Sequence, residues 1–232
     1  MRSSGSAFKL LDRGFRETLL LVPGWAADYR IFATLELEYN YLLPVRCAAA
    51  DFVKGSLLAM DSAKIGTVSA CGWSMGGFLA ADLFRACPGR IEELTLVGMR
   101  EGYNPRQLSE VRARLKKSRE GYLYKFYAGC FSTNEKDLLS RFKGGLCKAY
   151  LREMDLEGLL EGLDYLEHAR LDMESLKKAR VRFIHGSDDM IAPLEGIAGF
   201  AHSLPGAAVA IIKGAGHMPF LGPRFPEAFH GR

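Results

Sequence analysis

The sequence lacks paired cysteines. Its 232 residues include five cysteines, and no two of them form a C-x-x-C pair. They are Cys47, Cys71, Cys87, Cys130 and Cys147. An odd, scattered set of this kind argues against a disulfide framework and against a zinc site. Free thiols suit a reducing compartment, so we expect a cytoplasmic protein.

Long hydrophobic runs are also absent. Near the N-terminus the only continuous apolar run is "LLLV", residues 19–22, and charged residues interrupt the rest. A secretory signal needs a longer apolar stretch, and a membrane-spanning helix needs about 20 apolar residues. The sequence therefore predicts neither export nor a membrane partner.

A large excess of one charge and the common cofactor motifs are missing as well. The formal net charge is +4, which is too small to indicate nucleic acid binding. There is no H-E-x-x-H motif and no Walker or dinucleotide fingerprint. We expect no metal, no cofactor and no nucleic acid partner.

The sequence does contain a series of short apolar runs that resemble buried parallel strands. Most are apolar at consecutive positions, as expected where both faces of a sheet are covered. They lie at 18–24, 41–45, 65–73, 91–99, 181–187 and 207–214. Helical patterns lie between some of them, at 76–87, about 105–175 and 194–203. This alternation predicts an α/β fold with a mostly parallel central sheet flanked by helices.

One interval between predicted strands is much longer than the others. About 80 residues separate the strand that ends near Met99 from the one that begins near Val181. A single crossover helix needs far fewer. We therefore predict a helical cap at 102–175, laid over the sheet edge where α/β proteins bind ligands. The core would then consist of 1–101 and 176–232.

The stretch "CGWSMGGFLAADLF" places Ser74 between a predicted strand and a predicted helix. Its G-x-S-x-G pattern is common by chance, but this context is typical of a nucleophilic serine on a sharp turn. Gly72 and Gly76 would leave room for neighbouring backbone at the turn. The alternative is a glycine-rich turn in which the serine only caps the helix.

Two later stretches supply the partners that such a serine needs. "HGSDDMIAP" (185–193) provides Asp188 and Asp189, and "GAGHMPF" (214–220) provides His217, each after a predicted strand. A serine hydroxyl is a weak nucleophile until a base accepts its proton, and a carboxylate orients that base. The chain order of serine, aspartate and histidine fits this chemistry.

These stretches, in their order along the chain, resemble the α/β-hydrolases over nearly the whole length. Within that superfamily the chain is most similar to the pimeloyl-[acyl-carrier protein] methyl ester esterases of biotin synthesis. The resemblance rests on "PGWAADYRIF", "GWSMGG", "LLEGLDYLEHARL" and "GHMPFLGPRFPEAF". It implies an α/β-hydrolase fold with the cap inserted after the sixth strand.

The resemblance also implies roles for individual residues. Ser74 would be the nucleophile and His217 the base. Asp189 is favoured over Asp188 as the acid, because Gly186 and Pro193 take the family's spacing around it. Backbone N–H groups of Met75 and Trp25 would form the oxyanion hole. Many relatives have His-Gly before this second donor, whereas here Pro23-Gly24 stands there.

Four aromatic residues are candidate substrate contacts. They are Trp25, Trp73, Phe126 and Phe131. Trp25 and Trp73 flank the predicted site, and the two phenylalanines lie in the aromatic part of the cap. Core packing is the alternative for each of them.

The first part of the predicted cap is basic. Residues 100–125 contain eight basic and three acidic side chains. A solvated helix face is one explanation, and a dock for an acidic acyl carrier protein is the other. Arg112, Arg114, Lys116 and Lys117 are the docking candidates.

The resemblance implies a serine carboxylesterase whose expected substrate is pimeloyl-acyl-carrier-protein methyl ester. Two alternatives stay open. One is a thioesterase or a broad short-chain ester hydrolase, and the other is an inactive hydrolase fold that only binds. We expect a monomer.

Overall fold

A seven-stranded sheet forms the centre of the molecule. The computed structural model describes residues 7–45, 48–204 and 206–231, so Cys47 lies outside the described residues. The strand order is β1-β3-β2-β4-β5-β6-β7. The strands are β1 (Phe8–Leu11), β2 (Thr18–Val22), β3 (Asn40–Pro44), β4 (Val68–Trp73), β5 (Ile91–Val97), β6 (Val181–Gly186) and β7 (Ala208–Ile212).

All neighbouring strands are parallel except β1, which pairs antiparallel with β3. The central strands are buried on both faces, as their consecutive apolar residues predicted; Leu19, Leu20 and Leu21 of β2 have no exposed surface. The mostly parallel α/β sheet is therefore confirmed. Because the parallel strands share one direction, the loops after β2, β4, β5, β6 and β7 meet at one edge.

Ten α-helices occur among the described residues. They are α1 (Phe52–Ser62), α2 (Met75–Ala86), α3 (Pro105–Lys117), α4 (Arg119–Gly129), α5 (Lys136–Gly144), α6 (Leu146–Glu153), α7 (Leu156–His168), α8 (Met173–Leu176), α9 (Glu195–Ser203) and α10 (Phe225–His230). In the described part of the chain, none of them is both long and apolar enough to cross a bilayer.

The long interval after β5 is helical, running from α3 to α8. We keep the name cap for residues 102–175. Within the described residues five strands precede the cap, not the six that the resemblance implied. The core strands and cap helices are nevertheless in the expected order.

Side-chain hydrogen bonds join the cap to the core. Tyr165 of α7 donates to Asp82 of α2 at 2.8 Å, and the Trp25 indole Nε1 donates to the Leu159 carbonyl at 2.9 Å. These bonds seat α7 beside the loops at the carboxyl edge of the sheet.

Candidate active site

Ser74 lies on a strained turn between β4 and α2. Its backbone angles are φ 54° and ψ −118°, a region that residues with a side chain rarely adopt. A Cβ on Gly72 would lie 2.3 Å from the Gly76 carbonyl oxygen, and a Cβ on Gly76 would lie 2.2 Å from the Val22 carbonyl oxygen. Both glycines are therefore required for the strand and the helix to approach so closely.

The turn holds Ser74 by its backbone and leaves its hydroxyl at the head of a helix. The Ser74 N–H donates to the Val97 carbonyl at 2.8 Å, and the Ser74 carbonyl accepts from the Gly77 N–H at 2.9 Å. The residue is 6% exposed. Negative charge that develops near Oγ would face the N-terminus of α2, where helix N–H groups favour it.

Asp189, in the loop after β6, is the carboxylate that contacts His217. Its Oδ2 lies 2.7 Å from His217 Nδ1, while its Oδ1 accepts the N–H groups of Ile191 and Ala192, both at 2.8 Å. Burial opposes ionisation, but the histidine and the hydrogen bonds outweigh it and hold the pKa of Asp189 below its ordinary value. An ionised Asp189 fixes the proton of His217 on Nδ1.

Asp188, the other candidate acid, points elsewhere. Its Oδ1 accepts from Ser187 Oγ at 2.6 Å, and its Oδ2 accepts from Asn134 Nδ2 at 3.2 Å. The geometry therefore favours Asp189 as the partner of His217, as the sequence spacing predicted.

His217, in the loop after β7, is held by its backbone and its ring. Its N–H donates to the Cys130 carbonyl at 2.7 Å, and its own carbonyl accepts from Trp73 Nε1, also at 2.7 Å. The Trp73 ring lies 5.4 Å from the imidazole. With Nδ1 on Asp189, Nε2 is the free nitrogen, and it is buried with no hydrogen-bond partner among the described residues.

Ser74 Oγ is paired with Tyr103, not with His217. The Tyr103 hydroxyl, between β5 and α3, lies 3.5 Å from Oγ, and burial raises the pKa of Tyr103. The Arg100 guanidinium stacks 4.8 Å from the Tyr103 ring. Among the described residues His217 Nε2 has no hydrogen-bond partner; because catalytic hydrogen bonds are often loose in the absence of substrate, the missing Ser74–His217 bond does not argue against His217 as a base.

His185, the residue before Gly186 at the end of β6, is buried against the acid. Its Nε2 lies 2.6 Å from the Ala192 carbonyl and 3.5 Å from Asp189 Oδ2. Burial lowers the pKa of His185, although the bond to Ala192 opposes the change. A neutral His185 donates to that carbonyl and thereby supports the loop that holds Asp189.

The two predicted oxyanion donors lie in loops at the same edge. Met75 begins α2 and Trp25 follows β2. Neither backbone N–H donates a hydrogen bond within the described part of the chain. A Cβ on Gly24 would lie 2.8 Å from the Trp73 ring, so glycine lets this loop lie on Trp73. The next residue, Ala26, has a φ of 59°.

A cavity of about 490 Å³ opens beside the two predicted oxyanion donors. Trp25 and Met75 line it, together with Gly158 and Gly162 of α7. Gly162 is packed so tightly that a Cβ would lie 2.6 Å from the Trp25 ring. The volume falls in the range of small-molecule sites.

The structure separates the four predicted aromatic contacts. Trp25 lines the cavity, and Phe126 packs edge-on against Trp25 at 5.0 Å. Trp73 lies beneath His217 and Phe220, and Phe131 packs on Phe142 at 5.5 Å. Substrate contact by all four stays a prediction, and of the four it is Trp25 that lines this cavity.

The predicted docking residues on α3 also differ from one another. Arg112 is bound to Asp164 and Glu167 of α7, both at 2.7 Å, which indicates that it holds the two helices together. Arg114 forms an ion pair with Glu110 at 3.7 Å, the only one it makes in the part of the chain that the structure describes, and is well exposed. Lys116 and Lys117 are exposed at the end of the helix and make no ion pair within the described residues.

Three polar residues near the site were not predicted from the sequence. They are Tyr103, Tyr127 and Glu135. Glu135 Oε2 accepts the N–H groups of Ser132 and Gly216, both at 2.8 Å, and so ties the cap to the loop of His217. The aromatic run of the cap contains Tyr127, but nothing in its pattern distinguishes a hydrogen-bonding tyrosine from a packing one. Among the described residues, no group of three or more His, Cys, Asp or Glu side chains could hold a metal ion.

Known proteins resemble this chain over nearly its full length, although no family profile matches it. A protein of Nitrosomonas europaea named pimeloyl-[acyl-carrier protein] methyl ester esterase is 29% identical over 235 residues, which cover 91% of this chain and 92% of that protein. A protein of the same name from Aromatoleum aromaticum is 25% identical and covers 89% and 93% of the two chains.

Solved structures agree on the architecture. An esterase from Exiguobacterium antarcticum matches with a TM-score of 0.81 at 18% identity, over 97% of this chain and 94% of that one. A bromoperoxidase from Bacillus anthracis matches with a TM-score of 0.82 at 19% identity, over 96% and 93%. The chain thus has the predicted α/β-hydrolase fold. Because the two structures bear the names of different activities, the fold alone does not select the reaction.

Proposed function

We propose that the protein is a serine carboxylesterase. The observation that carries the proposal is the pairing of His217 with Asp189 at 2.7 Å, at the same sheet edge as a serine on a strained turn. The esterase names of the relatives support it. A fold used only for binding has no need to hold Ser74 at a φ of 54°, because such strain is usually retained for function.

Each site residue has a separate role in the proposed reaction. Ser74 Oγ attacks the ester carbonyl while its proton passes to His217 Nε2, and Asp189 stabilises the imidazolium that forms. The N–H groups of Trp25 and Met75 donate to the oxyanion. The C–O bond to the alcohol then breaks as His217 returns the proton to the leaving oxygen. Water, deprotonated by His217, releases the acid and restores Ser74.

For the substrate we propose the methyl ester of a pimeloyl group carried on acyl carrier protein. The support comes from the names of the two relatives. Apolar side chains of Trp25, Met75 and Leu159 in the cavity would contact an acyl chain, and the exposed cations of α3 suit an acidic carrier.

Replacement of Ser74 tests the reaction. In Ser74→Ala we expect turnover of p-nitrophenyl esters to fall by about 10⁴-fold or more, and labelling by a fluorophosphonate probe to disappear. Ser62→Ala is the control, because Ser62 is exposed on α1 and, among the described residues, its hydroxyl bonds only to the Leu58 carbonyl. Turnover retained by Ser74→Ala would remove the nucleophile from the proposal.

The leaving group tests the substrate. Wild-type protein is incubated with pimeloyl-carrier methyl ester and, separately, with an acyl-CoA thioester. Release of methanol with little release of thiol supports the proposal, and the reverse identifies a thioesterase. Rescue of a biotin auxotroph that lacks its pimeloyl esterase would add support from growing cells.

A further inference from the structure

The loop after β2 holds a strained residue next to a predicted oxyanion donor. Ala26, directly after Trp25, has a φ of 59°. A left-handed conformation is unfavourable for a residue that carries a Cβ, so the surrounding structure must hold it there. Ala26 lies four residues beyond the end of β2 at Val22, and among the described residues no strand pairing includes it.

The cap supplies the contact that holds this residue. The Tyr127 hydroxyl of α4 donates to the Ala26 carbonyl at 2.6 Å. Tyr127 is 1% exposed, and its ring packs against Phe142 at 5.4 Å and Tyr150 at 5.9 Å. Burial raises the pKa of Tyr127 well above its ordinary range, so the hydroxyl remains a donor. This hydroxyl is therefore fixed in place before any substrate binds.

A second hydrogen bond joins the cap to the same loop, through the side chain of Trp25. Trp25 Nε1 donates to the Leu159 carbonyl of α7 at 2.9 Å. Trp25 is thus anchored by its side chain, and the residue that follows it is anchored by its carbonyl. Together these two bonds limit rotation of the peptide groups around Trp25, whose own N–H is left without an acceptor in the described residues.

We propose that Tyr127 is a positioning residue, which holds Ala26 in its strained conformation so that the Trp25 N–H is presented to the oxyanion. The inference rests on the esterase function proposed above. It makes the cap part of the catalytic apparatus as well as a cover for substrate. Oxyanion donors contribute most when they are oriented before the reaction.

The Tyr127→Phe variant tests this role, because it removes the hydroxyl and keeps the ring. We expect kcat and kcat/KM for a p-nitrophenyl ester to fall together by about tenfold to a hundredfold, as a misplaced group lowers a rate. An equal fall in both constants marks an interaction made in the transition state. Adding Ala26→Gly should restore part of the loss, because glycine adopts this φ without strain.

A matched control separates positioning from simple attachment of the cap. Tyr165→Phe removes another hydroxyl bond between cap and core, the one to Asp82. If Tyr127 only attaches the cap, the two variants should lower the melting temperature alike and leave kcat alike. Unchanged kcat in a folded Tyr127→Phe protein overturns the proposal, as does a double variant no faster than Tyr127→Phe.

Two further outcomes separate a failure of this inference from a failure of the proposed function. Should Tyr127→Phe not fold, Ala26→Val carries the test, since a β-branched residue raises the strain at this φ with the bond intact; kcat must again fall, and unchanged kcat overturns the proposal. If wild-type protein hydrolyses no ester, the proposed function fails. Ester turnover that depends on Ser74 but not on Tyr127 defeats the present inference alone.

Discussion

Asp188 and Asp189 are neighbours in the chain with different partners. Asp189 bonds to His217 at 2.7 Å, and Asp188 bonds to Ser187 and Asn134. Two adjacent residues leave a loop in different directions, so the choice between them depends on the loop conformation. The two N–H groups that bond to Asp189 Oδ1 fix this conformation.

The pair allows a prediction with an internal control. In Asp189→Asn we expect kcat for a p-nitrophenyl ester to fall by about 10⁴-fold, because an amide favours the wrong tautomer of His217. In Asp188→Asn we expect kcat to change little, since its partners, Ser187 and Asn134, are neither Ser74 nor His217. Steady-state kinetics of both variants checks this, and a larger loss in Asp188→Asn would reverse the assignment.

The residues found from the sequence are those whose chemistry depends on local pattern. Ser74 sits between glycines after an apolar run, and His217 follows another such run, so their place at a sheet edge could be predicted. Tyr103 and Tyr127 instead contact residues distant in the chain, Ser74 and Ala26. Neither contact leaves a spacing that a single sequence displays.

Among the elements, the strands of the parallel part of the sheet were identified, because each contains a run of consecutive apolar residues. Polar residues such as Glu92 and Glu93 in β5 and Arg182 in β6 interrupt the strands without hiding this pattern. The edge strand β1 was missed because it is only four residues long. Three of these residues are exposed, and Lys9 interrupts the apolar ones. Helix α1 was missed as well, since only Phe52, Ser56 and Met60 are buried on it. The count of strands before the cap came from the resemblance alone and exceeded the five described.

Helix α3 carries a prediction about the carrier protein. Arg114, Lys116 and Lys117 are free to meet an acidic partner, whereas Arg112 is held by α7. In a triple variant with Arg114→Glu, Lys116→Glu and Lys117→Glu, we expect kcat/KM for the carrier-bound methyl ester to fall by roughly tenfold at low salt. The main cause would be slower association. Hydrolysis of a free p-nitrophenyl ester should not change.

The control for this experiment reverses lysine charges at another part of the surface. Lys54→Glu with Lys64→Glu reverses two charges at and beyond α1, outside the cap residues. A comparable loss in this control would assign the effect to net charge. Equal loss on the free and the carrier-bound ester would show that the α3 reversals disturb the site itself.

At the scale of the whole molecule, core and cap share the site. The cap contacts His217 through the Cys130 carbonyl, the His217 loop through Glu135, and the loop of Trp25 through Tyr127. His185, buried beside Asp189 in this assembly, has a lowered pKa, so its protonation is linked to folding and should be visible in the stability of the protein.

The sign of this linkage follows from the direction of the shift. Burial holds the pKa of His185 below its ordinary 6.5, so below that pH the unfolded chain binds a proton that the folded protein does not. The contribution of His185 to the free energy of unfolding should therefore be fully present above about pH 6.5. It should decrease as the pH falls toward the pKa of His185 in the folded protein. One such proton contributes a slope of at most about 1.4 kcal/mol per pH unit. Asp189, 3.5 Å away, favours the charged imidazole and reduces the shift, and a charged His217 increases it.

Urea unfolding between pH 5 and 7.5 measures this slope. His185→Gln keeps a donor toward the Ala192 carbonyl and removes the titration, so we expect a smaller dependence on pH than in the wild type. His202→Gln, at an exposed position of α9, should leave the dependence unchanged. The lowered pKa of Asp189 acts in a separate window, because its contribution is lost only as the pH falls below 3.8. An undiminished slope in His185→Gln would show that the folded protein accepts the proton on His185 without cost, and that the imidazole does not support the Asp189 loop in its neutral form.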